Sequence, residues 1–405
     1  MTDFDVRPVA EDERRATFDL LGRSLHTNRV SDEFWSRYGG SWPAAHKFGA
    51  FDGAAPIGIA SSLETRIAVP GGEVLALGAV DGVGVRADRT RRGVLTAMMA
   101  AQLADFAARG IPLAALHASE PTIYGRFGYG SAALAKTVWL PRPAARLHER
   151  VAVRGDVRML TPDEAVREIP ALYERIGLHR AGMIGRPAHW WPVAHDRLAG
   201  PHGSHVVAVH SGPDGDDGYV VYDTLDRRTL DSPDEGAVLK VRELNAVDPA
   251  AHAALWRFLL SIDLVSGIRA RYRPVDEPLA PMLADHRHVR TADVEDDLWL
   301  RPVDVTAALA ARTYRAADPV VLAVRDRMLP ANTGCYEVGP DGAHRTDAAA
   351  DLVLDVDTLG MLYLGQWTAT ALAHAGRVEV VHPSAVARAD ELFTTIAAPW
   401  CGTYF

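Results

Sequence analysis

The sequence predicts an α/β chain of two successive parts built on one pattern, followed by a smaller α+β part. Three observations predict it. A long strand runs through a loop into a long amphipathic helix twice, in "LGAVDGVGVRADRTRRGVLTAMMAAQL" (77–103) and in "LKVRELNAVDPAAHAALWRFLL" (239–260). The stretch 141–156, with its Pro-rich start, reads as a linker between the two parts. Beyond residue 295 the order changes to a helix, a hairpin and further helices, as an α+β domain requires. A chain of 405 residues has room for two or three domains. The expected segments are 1–145, 146–292 and 293–405.

The elements follow in order. "FDVRPV" (4–9) reads as a strand, with helical sequence at 11–25 and around "SDEFWSRYG". Strands are expected at 45–52, 56–69 and 73–85, the last with a two-residue alternation at Val83 and Val85. In 91–110 the apolar residues Val94, Leu95, Met98, Met99, Leu103 and Phe106 recur at helical spacing, and Gly110 suits the position after the helix. A strand at 111–118, a short turn in "SEPTIYGRFGYG" and a strand in "AALAKTVWL" close the first part. The second part shows a strand at 156–160, a helix at 162–178 and another near "PAHWWPVAHDRL". Strands at 204–210 and 218–224 come next, then the strand and helix of the repeat. In the third, "PVDVTAALAARTY" is helical and strands lie near 319–338 and 351–355. "LPANTGCYEVGPDGAHR" reads as a hairpin, and helices are expected at 359–374 and 383–397.

Composition excludes several classes. Apolar residues make up 48% and charged residues 23%, which is ample for packed cores. A net charge of −9 disfavours nucleic acid and suits cationic small molecules. The two cysteines, Cys335 and Cys401, provide neither a disulfide framework nor a zinc spacing, so no metal is expected. The acidic, mixed start "MTDFDVRPVAEDERR" is not a signal or transit peptide. No apolar run reaches the ~18–20 residues of a membrane helix. A soluble cytoplasmic protein, with no nucleic-acid or membrane partner, is the expectation.

"VGVRADRTRRGVL" (83–95) carries the chemistry. A strand ends, a basic loop follows, and a helix starts near Arg92 or Gly93. The free N–H groups and positive dipole end of that helix make an anion site. Arg91 and Arg92, with Arg89 nearby, add charge for phosphates, and Gly93 permits close approach. The same residues also read as a solvated basic loop. Ser119 precedes Pro121 and fits a helix N-cap, Tyr124 fits a buried aromatic, and His117, ending an apolar strand, fits a core histidine. The chain ends in "PWCGTYF", whose aromatics should be buried, taking the Phe405 carboxylate with them.

The loop resembles the acetyl-coenzyme A loop of the GNAT acyltransferases, [QR]-x-x-G-x-[GA]. Here it is Thr90-Arg91-Arg92-Gly93-Val94-Leu95, with Thr90 in place of the first Gln or Arg and Leu95 in place of the small residue. "HASEPTIYGRFGYG", the three-part layout and the aromatic C-terminus resemble the Eis (enhanced intracellular survival) family over nearly the whole chain. That family acetylates amines of aminoglycosides and peptidyl lysines. The resemblance implies tandem GNAT folds, the second degenerate, and then a sterol-carrier-like domain. It implies acetyl-CoA as co-substrate, a small-molecule or lysine amine as acceptor, and a homo-oligomer, specifically a hexamer. Val83 and Val85 would present backbone groups to the acetyl and pantetheine arm. Arg91, Arg92, Gly93 and Val94 would hold the pyrophosphate, and Ser119 would hydrogen-bond the cofactor. Tyr124 would be the general acid and the Phe405 carboxylate the general base. A carboxylate of ordinary pKa, about 3.5, is a weak base, and burial beside Trp400, Tyr404 and Phe405 would raise it.

Phe34, Trp35 and Tyr404 are the candidate acceptor-lining aromatics. Tyr404 and Leu25 stand where aminoglycoside-modifying relatives would carry acids. The second loop has neither glycine nor arginines, and Pro249 and Ala250 open its helix, so that part walls the acceptor cleft or builds an interface. In the third part Leu352, Leu354, Met361, Leu362 and Leu364 fit an ordinary core or a lipid tunnel. Two functions stay open: an amine N-acetyltransferase, and a non-catalytic CoA- or lipid-binding regulator on the same scaffold.

Overall fold

The computed structural model describes residues 4–27, 31–42, 46–141, 145–200, 203–225 and 237–405. It forms two compact units. The first joins Met1–Ala133 with Arg180–His189 and Asp296–Phe405; the second is Leu134–His179 with Trp190–Glu295.

In the first unit the strands Asp5–Pro8, Lys47–Asp52, Ala55–Ala68 and Val74–Val85 form successive antiparallel pairs. Val74–Val85 then pairs in parallel with Leu113–Leu116 across the helix Val94–Ala108. Val94, Met98, Met99, Leu103 and Phe106 are its buried stripe, as the spacing predicts. The stripe packs on Ala50, Ile57 and Ala60 at one end and on Val80, Ala114 and Leu116 at the other. The opposite face carries the helices Arg14–Ser24 and Asp32–Tyr38, through Leu20, Leu21 and Trp42. Helix and strand approach closely there, because a Cβ on Gly82 would lie 2.6 Å from Leu21.

The sheet gains a further strand that the sequence did not predict. Trp299–Pro302, the end of the strand Arg290–Pro302, pairs antiparallel with Leu113–Leu116. Its stretch "VEDDLWLRP" hides the pattern, since Arg301 points into the core. There both Arg301 Nη2 bonds to Asp326 are 2.9 Å, and Nε donates to the Phe127 carbonyl.

The remainder of the first unit holds a five-stranded sheet. Val320–Arg325 lies centrally, antiparallel to Gly334–Gly339 and parallel to Leu352–Asp355, with Gly342–Thr346 and Val378–Val380 at the edges. The expected hairpin is Gly334–Gly339 with Gly342–Thr346. The single helix expected at 359–374 is two, Val356–Tyr363 and Ala369–His374, separated where Gly365 turns to φ +85°. Leu352, Leu354, Leu362 and Leu364 belong to one packed core, with Met361 against it.

The second unit repeats the parallel pair with its crossover helix. Ala237–Ala246 leads through the helix Pro249–Ser261 to Val265–Pro274, parallel to it. Gly215–Leu225, Val206–Gly212 and Asp156–Leu160 continue the sheet on one side, and the end of Gly130–Pro141 on the other. Val265–Pro274 was not predicted, because Arg269, Arg271 and Arg273 break its apolar run. Arg269 and Arg271 face outward, and Arg273 is buried on Glu277 at 2.8 Å.

Candidate active site

The site begins where two parallel strands part. Val74–Val85 is paired with Leu113–Leu116 only from Leu77 to Val80. Val83 and Val85 lie past that point, paired on one side only, with Ala60 and Gly58. The register slips there: Ser61 faces Gly82 and Ser62 faces Val80, which leaves Asp81 as the extra residue of a bulge. One edge of residues 81–85 therefore offers backbone groups without a ladder partner.

The loop that follows is shaped for an anion. After the turn Ala87–Arg89 the backbone takes left-handed conformations at Arg91 (φ +61°) and Gly93 (φ +82°), and Val94 starts the helix. Thr90 before them is extended, so the two left-handed residues turn the chain into the helix, whose free N–H groups and dipole face an incoming anion. Gly93, the N-cap, offers no side chain to satisfy those donors. A Cβ on Gly93 would touch nothing within 4 Å, so it is the positive φ that demands glycine. Arg91 and Arg92 are exposed and make no ion pair or hydrogen bond with the described residues. Arg89 is different: it is held by Asp52 at 2.8 Å.

Tyr124 closes the short helical turn Pro121–Tyr124 and is buried, edge-on to Tyr129 at 6.2 Å. Burial raises its pKa above the ordinary tyrosine value, a hydrogen bond with Ser119 opposes that rise, and the Glu120 charge adds to it. Ser119 is not the N-cap; Glu120 is, without a side-chain bond.

The C-terminal tail comes to the same unit. Trp400 N donates to the Ala181 carbonyl, and Cys401 N donates to Asp297 at 2.7 Å. Arg186, 4% exposed, reaches Thr403 Oγ1 at 3.0 Å and the Gly402 carbonyl at 3.4 Å. The segment Arg180–Arg186 is itself fixed to the strand Ala55–Ala68 by backbone bonds at Arg66 and Ala68. His117 then holds the last residues. Its Nε2 lies 3.0 Å from the Thr403 carbonyl, so that nitrogen carries the proton. Its ring stacks on Tyr404 at 4.7 Å and meets Phe405 edge-on at 4.8 Å. His117 is thus a clamp for the tail, not the plain core histidine that its strand predicted.

One expectation needs correction. Trp400, Cys401 and Thr403 are buried, but Tyr404 is 66% exposed and Phe405 only half-buried. The tail is anchored by its first part, and its last two rings do not enclose the carboxylate as the sequence reading required. Trp35 packs on Phe18 at 5.4 Å with the Arg14 and Arg15 guanidiniums over its ring, and the half-exposed Phe34 lies on Tyr38. Leu25, at the end of its helix, is exposed. Sequence reasoning missed Arg186 and Asp297, which act across more than a hundred residues. The one local signal is an arginine in the otherwise apolar "AGMIGRP".

The second unit has the matching helix start and closes it. Asp248 caps Pro249–Ser261, accepting from the N–H groups of Ala250 and Ala251 at 2.8 Å. Its own carboxylate occupies the place an anion would take.

Comparison with known proteins agrees with this geometry. Residues 5–132 and 182–302 each match an acetyltransferase (GNAT) domain model, and residues 305–402 match a sterol carrier protein domain. An uncharacterized N-acetyltransferase of Streptomyces avermitilis is 37% identical over 98% of both chains. N-acetyltransferase Eis of Mycobacterium bovis is 37% identical, covering 86% of this chain and 85% of its own. The crystal structure of Eis1 from Mycobacterium abscessus superposes with a TM-score of 0.91 at 35% identity, over 99% of this chain and 100% of that one.

Proposed function

The chain belongs to the Eis family of GNAT-type N-acetyltransferases, and from that premise we propose that it transfers the acetyl group of acetyl-CoA directly to a primary amine. The left-handed turn at Arg91 and Gly93, the helix start without a side-chain cap, and Arg91 and Arg92, unpaired among the described residues, fit a pyrophosphate. The one-sided backbone of Val83 and Val85 fits the acetyl and pantetheine arm, with an N–H there for the carbonyl oxygen as it becomes an oxyanion.

An amine is an ammonium near neutral pH and must lose a proton before it attacks. The Phe405 carboxylate attracts the cation and takes that proton, a role it has to perform without enclosure by the last two rings. The amine nitrogen then bonds to the carbonyl carbon, the carbon–sulfur bond breaks, and Tyr124 gives its proton to the departing sulfur. A raised pKa keeps that phenol protonated for the task. Ser119, bonded to Tyr124, sets its orientation.

The observation that carries this reading is the clamp on the tail. His117, one residue past the strand Leu113–Leu116 that runs beside the cofactor strand, bonds the Thr403 carbonyl and packs on the Phe405 ring, and so holds the last residues there. The test is release of CoA thiol from acetyl-CoA with a panel of amines. Amine-dependent release that falls in Tyr124→Phe is expected. Acetyl-CoA binding with no release for any amine would favour the non-catalytic regulator.

A further inference from the structure

Four polar groups gather on the sheet face under the helices Arg14–Ser24 and Asp32–Tyr38, and none has a part in the mechanism above. Lys47 stands opposite Ser61, and Ser61 stands opposite Gly82, beside the bulge residue Asp81. Three neighbouring strands thus present them in one row, with about 10 Å between the backbones of Lys47 and Asp81. His189, from the segment that fixes the tail, is close enough for its charge to respond to both.

Lys47 is 1% exposed, yet among the described residues its Nζ has no hydrogen-bond partner; the Trp42 ring, 4.4 Å away, is a contact. Among the described residues Asp81 Oδ1 and His189 Nε2 are also buried without a partner, although the Ser61 side chain interacts with the Asp81 carboxyl. Buried charges are ordinarily paired and hydrogen-bonded, and groups left bare in this way point to something that completes them. Burial lowers the Lys47 pKa to about 8 and raises that of Asp81, and the attraction between the two opposes both shifts. Asp81 keeps part of its surface as a residue, although its Oδ1 is buried. It lies two residues, about 7 Å, before Val83 on the cofactor strand.

We propose that Lys47, Asp81 and His189 form a recognition pocket for the α-amino-acid head group of the acceptor. The acceptor's carboxylate meets Lys47 Nζ and His189, and its α-ammonium meets Asp81 Oδ1. The reacting amine is a second one, at the end of the side chain. One buried cation beside one buried anion is complementary to a zwitterion. A polycation satisfies Asp81 alone and meets the Lys47 charge, which Arg14 reinforces. A side chain of lysine length spans a distance comparable to that from Asp81 to Val83.

The inference rests on the acetyl-transfer reading, and its test separates the two. With the full chain and saturating acetyl-CoA, kcat/KM is measured for L-lysine and for cadaverine, which lacks only the carboxylate. L-lysine is expected to lead by about tenfold or more, since a buried donor left unpaired penalises the analogue. In Lys47→Met that ratio is expected to fall towards one, with the acetyl-CoA KM unchanged. In Asp81→Asn both amines are expected to lose kcat/KM, since each offers that carboxylate an ammonium, while the preference for L-lysine remains. Equal values for the two amines in the native enzyme would overturn the proposal, and so would a Lys47→Met protein of native melting temperature that keeps the preference. If no amine releases CoA, the acetyl-transfer reading fails. Calorimetry of L-lysine against cadaverine, on the CoA-bound protein, then decides the pocket alone: selective heat supports it and equal or absent heat overturns it.

Discussion

At Tyr124 burial and the Ser119 hydrogen bond act in opposite directions, and burial prevails. The consequence is a pH profile. A general acid works only while protonated, so activity falls as pH rises through its pKa, and here that value lies above the ordinary 10. The basic limb of kcat/KM is therefore expected above pH 10, and a limb near 8 would assign the acid elsewhere. Tyr124→Phe is expected to keep the fold and the acetyl-CoA affinity while kcat drops about 10²–10⁴-fold; full activity would return Tyr124 to a packing role. The burial of Tyr124 was legible in the sequence; the acid role proposed for it comes from the resemblance of "IYGRFGYG" to the family. The clamp at His117 was not legible. Its partners are the last three residues of the chain, and a histidine after "IPLAAL" gives no sign of a contact made 286 residues away.

The two strand–loop–helix elements differ in what meets the helix start. Gly93 leaves the first set of N–H groups bare, and Asp248 fills the second. Arg91→Ala with Arg92→Ala is expected to raise the KM for acetyl-CoA strongly, because two charge-assisted phosphate contacts go; unchanged acetyl-CoA affinity by calorimetry would end the anion-site reading. Asp248→Ala is expected to cost about 1 kcal/mol of stability in denaturant unfolding, the usual worth of an N-cap, with no effect on the acetyl-CoA KM. Most elements of both units could be read from periodicity. The strands Val265–Pro274 and Arg290–Pro302 could not, because buried Arg273 and Arg301 occupy positions where the pattern calls for apolar residues. Each arginine is neutralised by a distant carboxylate, Glu277 or Asp326, and a local window sees only its charge.

In the first unit, the end of the chain is delivered to the neighbourhood of a strand that begins at Leu113. Arg186, Asp297 and His117 hold it from three separate stretches of sequence. This anchoring buries Trp400, Cys401 and Thr403, while Tyr404 stays largely in solvent. Carboxylate position and ring burial can be separated by experiment. Amidating Phe405 removes the charge and leaves the ring; adding a few residues after Phe405 keeps a charge but moves it away. If the carboxylate is the base, either change is expected to abolish most acetyl transfer, chiefly in kcat, with acetyl-CoA binding nearly intact. The amidated enzyme should partly recover at high pH, where the acceptor amine is already neutral. Arg186→Met, which loosens the tail without touching the carboxylate, is expected to lower kcat less than amidation does and to show no such recovery. If the tail only packs, amidation is silent and Arg186→Met affects stability alone. A C-terminally extended enzyme that matches the native rate with the same amine would defeat the role assigned to Phe405.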